Sequence, residues 1–128
     1  MRIPWLMIAA LLGAVTVVMG AAGSHSLSGN EGALKLHHTA QTYLMFHIPA
    51  LMTVWVFTRL TNVSIVLANC AGIFFLAGTL FFSGSLHYLS QTGDPLIPFA
   101  TPLGGVSFIL GWTMLAFCGF QEWRGVKN

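Results

Sequence analysis

The chain is 128 residues long, 55% hydrophobic and only 6% charged, with a formal net charge of +2. Soluble domains carry about 25% charged residues, so the composition excludes an ordinary water-soluble globule. Five scattered Lys and Arg residues leave no basic patch dense enough for nucleic acid, and two cysteines are too few for a disulfide framework or a cysteine-based zinc site.

The charged residues stand only at Arg2, Glu31, Lys35, Arg59, Asp94, Glu122, Arg124 and Lys127. Between them lie charge-free stretches of 28, 23, 34 and 27 residues, at 3–30, 36–58, 60–93 and 95–121. One helical crossing of a bilayer takes roughly 20 predominantly apolar residues, so the spacing predicts four spans and a single domain over 1–128. The segments are apolar on all sides, unlike the alternating strands of a membrane β-barrel.

Span 1 is predicted over about 3–23, with Pro4 near its start, where a missing N–H is harmless. Ala21-Ala22-Gly23 resembles a small-residue cleavage site, but with Met1 present the segment is expected to stay as a membrane helix. Span 2 is predicted over about 39–58 and contains Pro49. Span 3 is predicted over about 63–89, roughly 40 Å at 1.5 Å per residue, so it must tilt or project. Span 4 is predicted over about 101–120, opened by the N-cap and N1 pair Thr101-Pro102. The connections are then 24–38, 59–62 and 91–100, all polar or rich in Gly and Pro.

Arg2, Arg59, Arg124 and Lys127 fall on the side of both termini, and Lys35 stands alone on the other. Such a bias in short loops predicts cytoplasmic termini. The expected fold is therefore all-α, an antiparallel bundle of four transmembrane helices, N-in and C-in. Lipid competes with apolar side chains, so helices meet through small and polar residues. These are Gly13 and Gly20 on span 1, and Gly72 and Ser83 within the stripe Asn69, Gly72, Leu76, Thr79, Ser83, His87 on span 3. On span 4 they are Gly104 and Gly111. Phe74, Phe75, Phe81 and Phe82 are expected to face lipid or another subunit.

Four ordered segments resemble one family. Gly20-Ala21-Ala22-Gly23-Ser24-His25 is similar to the Gly-Ala-Phe-Gly-Ala-His segment that closes the first helix of the YgdD-like inner-membrane proteins, domain of unknown function 423. Tyr43 to His47 resembles that family's Tyr-Gln-x-x-His segment, and Phe82-Ser83-Gly84-Ser85-Leu86 its Phe-Ser-Gly-Ser-Leu signature. Thr101-Pro102-Leu103-Gly104-Gly105 and Gly111-Trp112 resemble its Thr-Pro-x-Gly-Gly and Gly-Trp segments. The resemblance implies a small multi-spanning protein of the bacterial inner membrane and supplies no reaction. Leu44 stands where the family usually has Gln, and His87 where it often has Tyr, so the polar network is expected to differ here.

The histidines are the only candidate chemistry. His25, His37, His38, His47 and His87 all lie toward the predicted outer side, with His47 about nine residues into span 2 and beside Pro49. Ionisable groups at such depth face the bundle interior with a partner. His47 is open to three readings. It forms a hydrogen bond to a neighbouring helix (Ser83, Thr39 or a freed carbonyl), or it joins His25 and His87 in binding a metal or haem. In the third reading His25, His47 and His87 line a polar pocket for a headgroup, quinone or proton. His37 and His38 are expected at a solvated interfacial edge beside Lys35, where lipid phosphates also gather.

No nucleophile–base pair or phosphate loop is present, so an enzyme is disfavoured. The expected role is a non-catalytic structural or accessory inner-membrane component without a cofactor, acting through lipid or protein contacts in a larger complex or homo-oligomer. The alternative is a cofactor- or small-molecule-binding subunit of a membrane redox or transport complex, using the outer histidines.

Overall fold

A computed structural model describes residues 1–126, the side chain of Val126 excepted; Lys127, part of the charge argument, lies outside them. The chain forms α1 (Trp5–Ser26), α2 (Glu31–Phe57), α3 (Ile65–Gly78), a π-helical segment (Thr79–Gly84), α4 (Ser85–Thr92) and α5 (Ala100–Val126). α3, the π segment and α4 run on as one rod of 28 residues, so four rods are long and apolar enough to cross a membrane.

Local chemistry sets the ends. Asn30 caps α2 by accepting from the Ala33 N–H at 3.0 Å, and Glu31 occupies the first turn, where a carboxylate complements the helix dipole. α2 therefore starts eight residues before the predicted Thr39, and the connection from α1 shrinks to Leu27–Asn30. The polar residues of 31–38 were expected to form a loop; they are instead the first turns of a helix. Ser64 caps α3 through the Leu67 N–H. Gly93 closes α4 in the left-handed conformation, φ +77°, which a side chain would resist. Pro102 sits in the first turn of α5, where it breaks no bond, and α5 continues past the predicted residue 120 to Val126.

α3 packs along α5 on one side and against α2 on the other, while α1 lies along α2. At one end, here called proximal, Trp5 Nε1–H donates to Asn69 Oδ1 at 2.8 Å and seats α1 on α3. Asn62 Nδ2 donates to the Glu122 carbonyl at the same end. At the distal end Ser85 and Thr101 share a 2.7 Å hydroxyl contact.

The interior is divided along its length. The proximal and central core is apolar: Trp5, Ala9, Ala50, Leu51, Val54, Ala71, Phe75, Phe108 and Leu115. Toward the distal end the buried side chains turn polar, with His37, Gln41, Ser83, His87 and Ser90. Phe75 is fully buried, contrary to the expectation that it faces lipid, because it fills the space left by Gly111.

Of the expected packing glycines, Gly20 faces the Gln41 amide, Gly72 the Trp5 ring, Gly104 the backbone of the π segment, and Gly111 the Phe75 ring. Gly13 is a correction. No atom lies within 4 Å of the place its Cβ would take, because α1 diverges from α2 there beside Ile48 and Pro49. Ser83 is buried at 1% exposure.

Candidate functional site

α2 presents His37, Gln41, Leu44, His47 and Leu51 at spacings of four, three, three and four, which is one helical face, and all are buried. This face forms two tiers of different character.

The central tier surrounds His47. Its Nδ1 lies 2.7 Å from the Tyr43 carbonyl, and its Nε2 lies 3.1 Å from Trp112 Nε1. An indole N–H only donates, so His47 Nε2 carries the lone pair and Nδ1 carries the proton. The ring is a neutral imidazole with both nitrogens engaged. It stacks on Phe108 at 3.6 Å between centroids, 10° from parallel, with Phe75 on another side. Nothing is left on this ring to ligate a metal or hold a substrate. Of the readings open for His47, the geometry matches the hydrogen-bonded one, with partners the sequence did not indicate: Trp112 and the Tyr43 carbonyl.

The distal tier pairs His37 on α2 with His87 on α4, ring centroids 5.0 Å apart and edge to face. Gly23 on α1 makes room for the His37 ring, against which any Cβ would collide. Gln41, one turn deeper, donates from Nε2 to the Thr16 carbonyl of α1 at 2.9 Å. Ser83 stands one turn before His87 and owes its place to the π segment. Four buried atoms here have no hydrogen-bond partner: His37 Nδ1, Gln41 Oε1, Ser83 Oγ and His87 Nε2.

His25, His47 and His87 do not converge. α1 continues to Ser26, and the residue it turns inward is Gly23, which leaves His25 exposed. His47 stands sixteen residues from the start of α2, about 24 Å at 1.5 Å per residue. His87 is five residues from the end of its rod, about 8 Å. His47 is set deeper than His87, and His25 stays outside the bundle interior. His37, expected in solvent, is 2% exposed, because the early start of α2 places it in the second turn on the buried face. His38, its neighbour, is exposed. Gln41 and Phe108 were not singled out in the sequence, although the stripe from His37 to Leu51 was available to find the first, and Trp112 entered only through the Gly111-Trp112 segment. Among the described residues no three His, Cys, Asp or Glu side chains group closely enough to hold a metal ion.

Comparison with known proteins agrees with the motifs. Residues 19–105 match the family model described as protein of unknown function, DUF423. The chain is 38% identical to a UPF0382 membrane protein of Staphylococcus aureus over 117 residues, covering 87% of this chain and 93% of the relative. It is 37% identical to the UPF0382 membrane protein YwdK of Bacillus subtilis, with 82% and 89% covered. It is also 37% identical to the UPF0382 inner membrane protein YgdD of Escherichia coli, with 86% and 84% covered. No solved structure matches the chain.

Proposed function

From its place in the DUF423 family of membrane proteins, to which this chain belongs, we propose that it is a non-catalytic accessory component of the bacterial inner membrane that acts through lipid and protein contacts. One observation carries the reading. Four side-chain hydrogen bonds join neighbouring helices: Trp5 to Asn69, Gln41 to the Thr16 carbonyl, Trp112 to His47 and Ser85 to Thr101. In hydrocarbon such bonds hold helices together, and a group engaged in one is not free to do chemistry. The described outer surface is strongly apolar, with Val17, Val18, Leu103, Ile109 and Phe117 all more than half exposed, which suits lipid or a partner subunit.

Metal analysis and an absorption spectrum of protein purified in mild detergent test this reading. Protein without a stoichiometric metal or chromophore is expected. Haem or metal at one equivalent per chain would overturn it in favour of a redox or transport subunit.

The proposed arrangement is antiparallel with both termini in the cytoplasm. Arg2, Arg59 and Arg124 lie at the proximal end and Lys35 at the distal end, and the Arg59 guanidinium covers the Trp55 ring at 5.4 Å, a pairing suited to a membrane boundary. A C-terminal alkaline phosphatase fusion, active only outside the cytoplasm, is expected to be silent. An active fusion would reverse the orientation.

A further inference from the structure

We infer that His37, Gln41, Ser83 and His87 line a hydrated inlet. Its ligands are water and uncharged hydrogen-bonding solutes of similar size, which enter from the distal end and stop at an aromatic floor. Three separate observations lead there.

The first is the polar inventory. The four residues are between 1% and 9% exposed, and each carries a buried atom without a partner. A buried polar group left unpaired is costly, and four in one place would take up much of the narrow margin by which a native domain is stable. Buried groups of this kind are normally satisfied by ordered water, which makes about three hydrogen bonds. The set suits that occupant. The Gln41 amide nitrogen donates to the Thr16 carbonyl, which leaves Oε1, an acceptor only, facing the cluster; Ser83 Oγ donates and accepts; each imidazole nitrogen does either, according to tautomer.

The second is an entrance. A cleft of about 410 Å³ opens at the distal end between α2 and α4, lined by Asn30, Ala33, Ser90, Gln91 and Thr92 among others. Ala33 is one turn from His37, and Ser90 one turn from His87, so the cleft ends within one helical turn of the imidazole pair, which does not itself line it. Its polar rim favours solutes arriving from water over lipid-borne ones.

The third is a stop. Below Gln41 and Ser83, Tyr43 packs on Phe82 at 4.4 Å, Phe82 lies 5.8 Å from Phe108, and Phe108 stacks on His47. Beyond them the core to Trp5 is aliphatic and aromatic apart from Thr79, Thr16 and Asn69, each of which is hydrogen-bonded. The inlet is therefore blind, and this geometry gives no path across the membrane. It also selects against ions. The acids Glu31 and Asp94 are exposed, and no carboxylate or thiol is buried among the four residues. An uncompensated charge in such surroundings costs far more than a neutral polar group.

Thiol accessibility tests the inlet on the full chain in detergent micelles, where sidedness plays no part. With Cys70 and Cys118 changed to alanine, Ser83→Cys, Gln41→Cys, Ser90→Cys, Leu80→Cys and Ala50→Cys are treated separately with methyl methanethiosulfonate. Ser90→Cys at the mouth and both Ser83→Cys and Gln41→Cys inside are expected to react at least tenfold faster than Ala50→Cys in the core and Leu80→Cys on the outer face. Rates at positions 83 and 41 equal to that of Ala50→Cys would overturn the proposal and leave a dry, self-paired cluster. Should either inner variant lose its fold, hydroxyl-radical footprinting of the unaltered protein decides the matter. Oxidation of His37 and His87 several-fold above that of buried Phe75 and Phe108 is the expected result, and equal protection of all four overturns the inlet.

Discussion

Alanine at Gly104 is expected to destabilise the protein by about 1–3 kcal/mol, the range for forcing extra methyl groups into a well-packed interior, while alanine at Gly13 leaves it unchanged or stabilises it. At Gly104 a Cβ would lie 2.8 Å from the Phe81 carbonyl carbon and 2.7 Å from Phe82 Cβ. The first is backbone of the π segment and the second is fixed directly to it, so neither can rotate aside and the α5 contact itself must open. At Gly13 a Cβ meets nothing within 4 Å, and alanine there gains up to about 1 kcal/mol of helix propensity. Unfolding in detergent, followed by circular dichroism with increasing denaturant, measures both. Equal effects at the two sites would mean that α5 does not approach the π segment as described.

The second large effect is expected at the central imidazole. His47→Leu keeps an apolar side chain in place but leaves the Trp112 N–H without its acceptor, at a cost of about 1–3 kcal/mol. The parallel stack on Phe108 is lost as well, worth about 0.5–1.5 kcal/mol more. Trp112→Phe removes the other partner. Because the two residues share one hydrogen bond, the double variant is expected to be about 1 kcal/mol more stable than the sum of the single losses predicts. Strict additivity would show that the 3.1 Å contact contributes nothing net.

Charge spacing made the four rods legible, since the cost of burying Lys, Arg, Asp or Glu in hydrocarbon confines them to the ends. It misled at residues 24–38. There Lys35, His37 and His38 resemble a solvated connection, yet Lys35 and His38 point outward while His37 and Gln41 turn inward. Composition alone does not separate a polar loop from a helix that buries a polar face. The start of α2 is set by the Asn30 cap, which was not read from the sequence. With eight more residues at its distal end, α2 carries His47 deeper than a start at Thr39 implies. Trp112 as the partner of His47 depended on how far α5 slides along α2, a quantity that no local pattern carries. Four of the six small or polar packing positions, Gly20, Gly72, Gly104 and Gly111, meet another helix, while Gly13 faces open space and Ser83 lies buried in the distal tier.

The π segment bears on how the long rod is phased. In an uninterrupted α-helix, residues eighteen apart share one azimuth at 100° per residue, so Asn69 and His87 should look the same way. Asn69 meets Trp5 of α1, whereas His87 meets His37 of α2. A π turn closes on the fifth residue instead of the fourth and acts as a one-residue insertion, turning everything after Thr79–Gly84 by about 100° relative to what precedes it. The rod thus turns one polar stripe toward α1 at Asn69 and toward α2 at His87, as a key cut on two edges, while α2 packs along both halves. A chain shortened by a single residue between 79 and 84 would keep its composition and its four crossings, and would still present the wrong edge to α2.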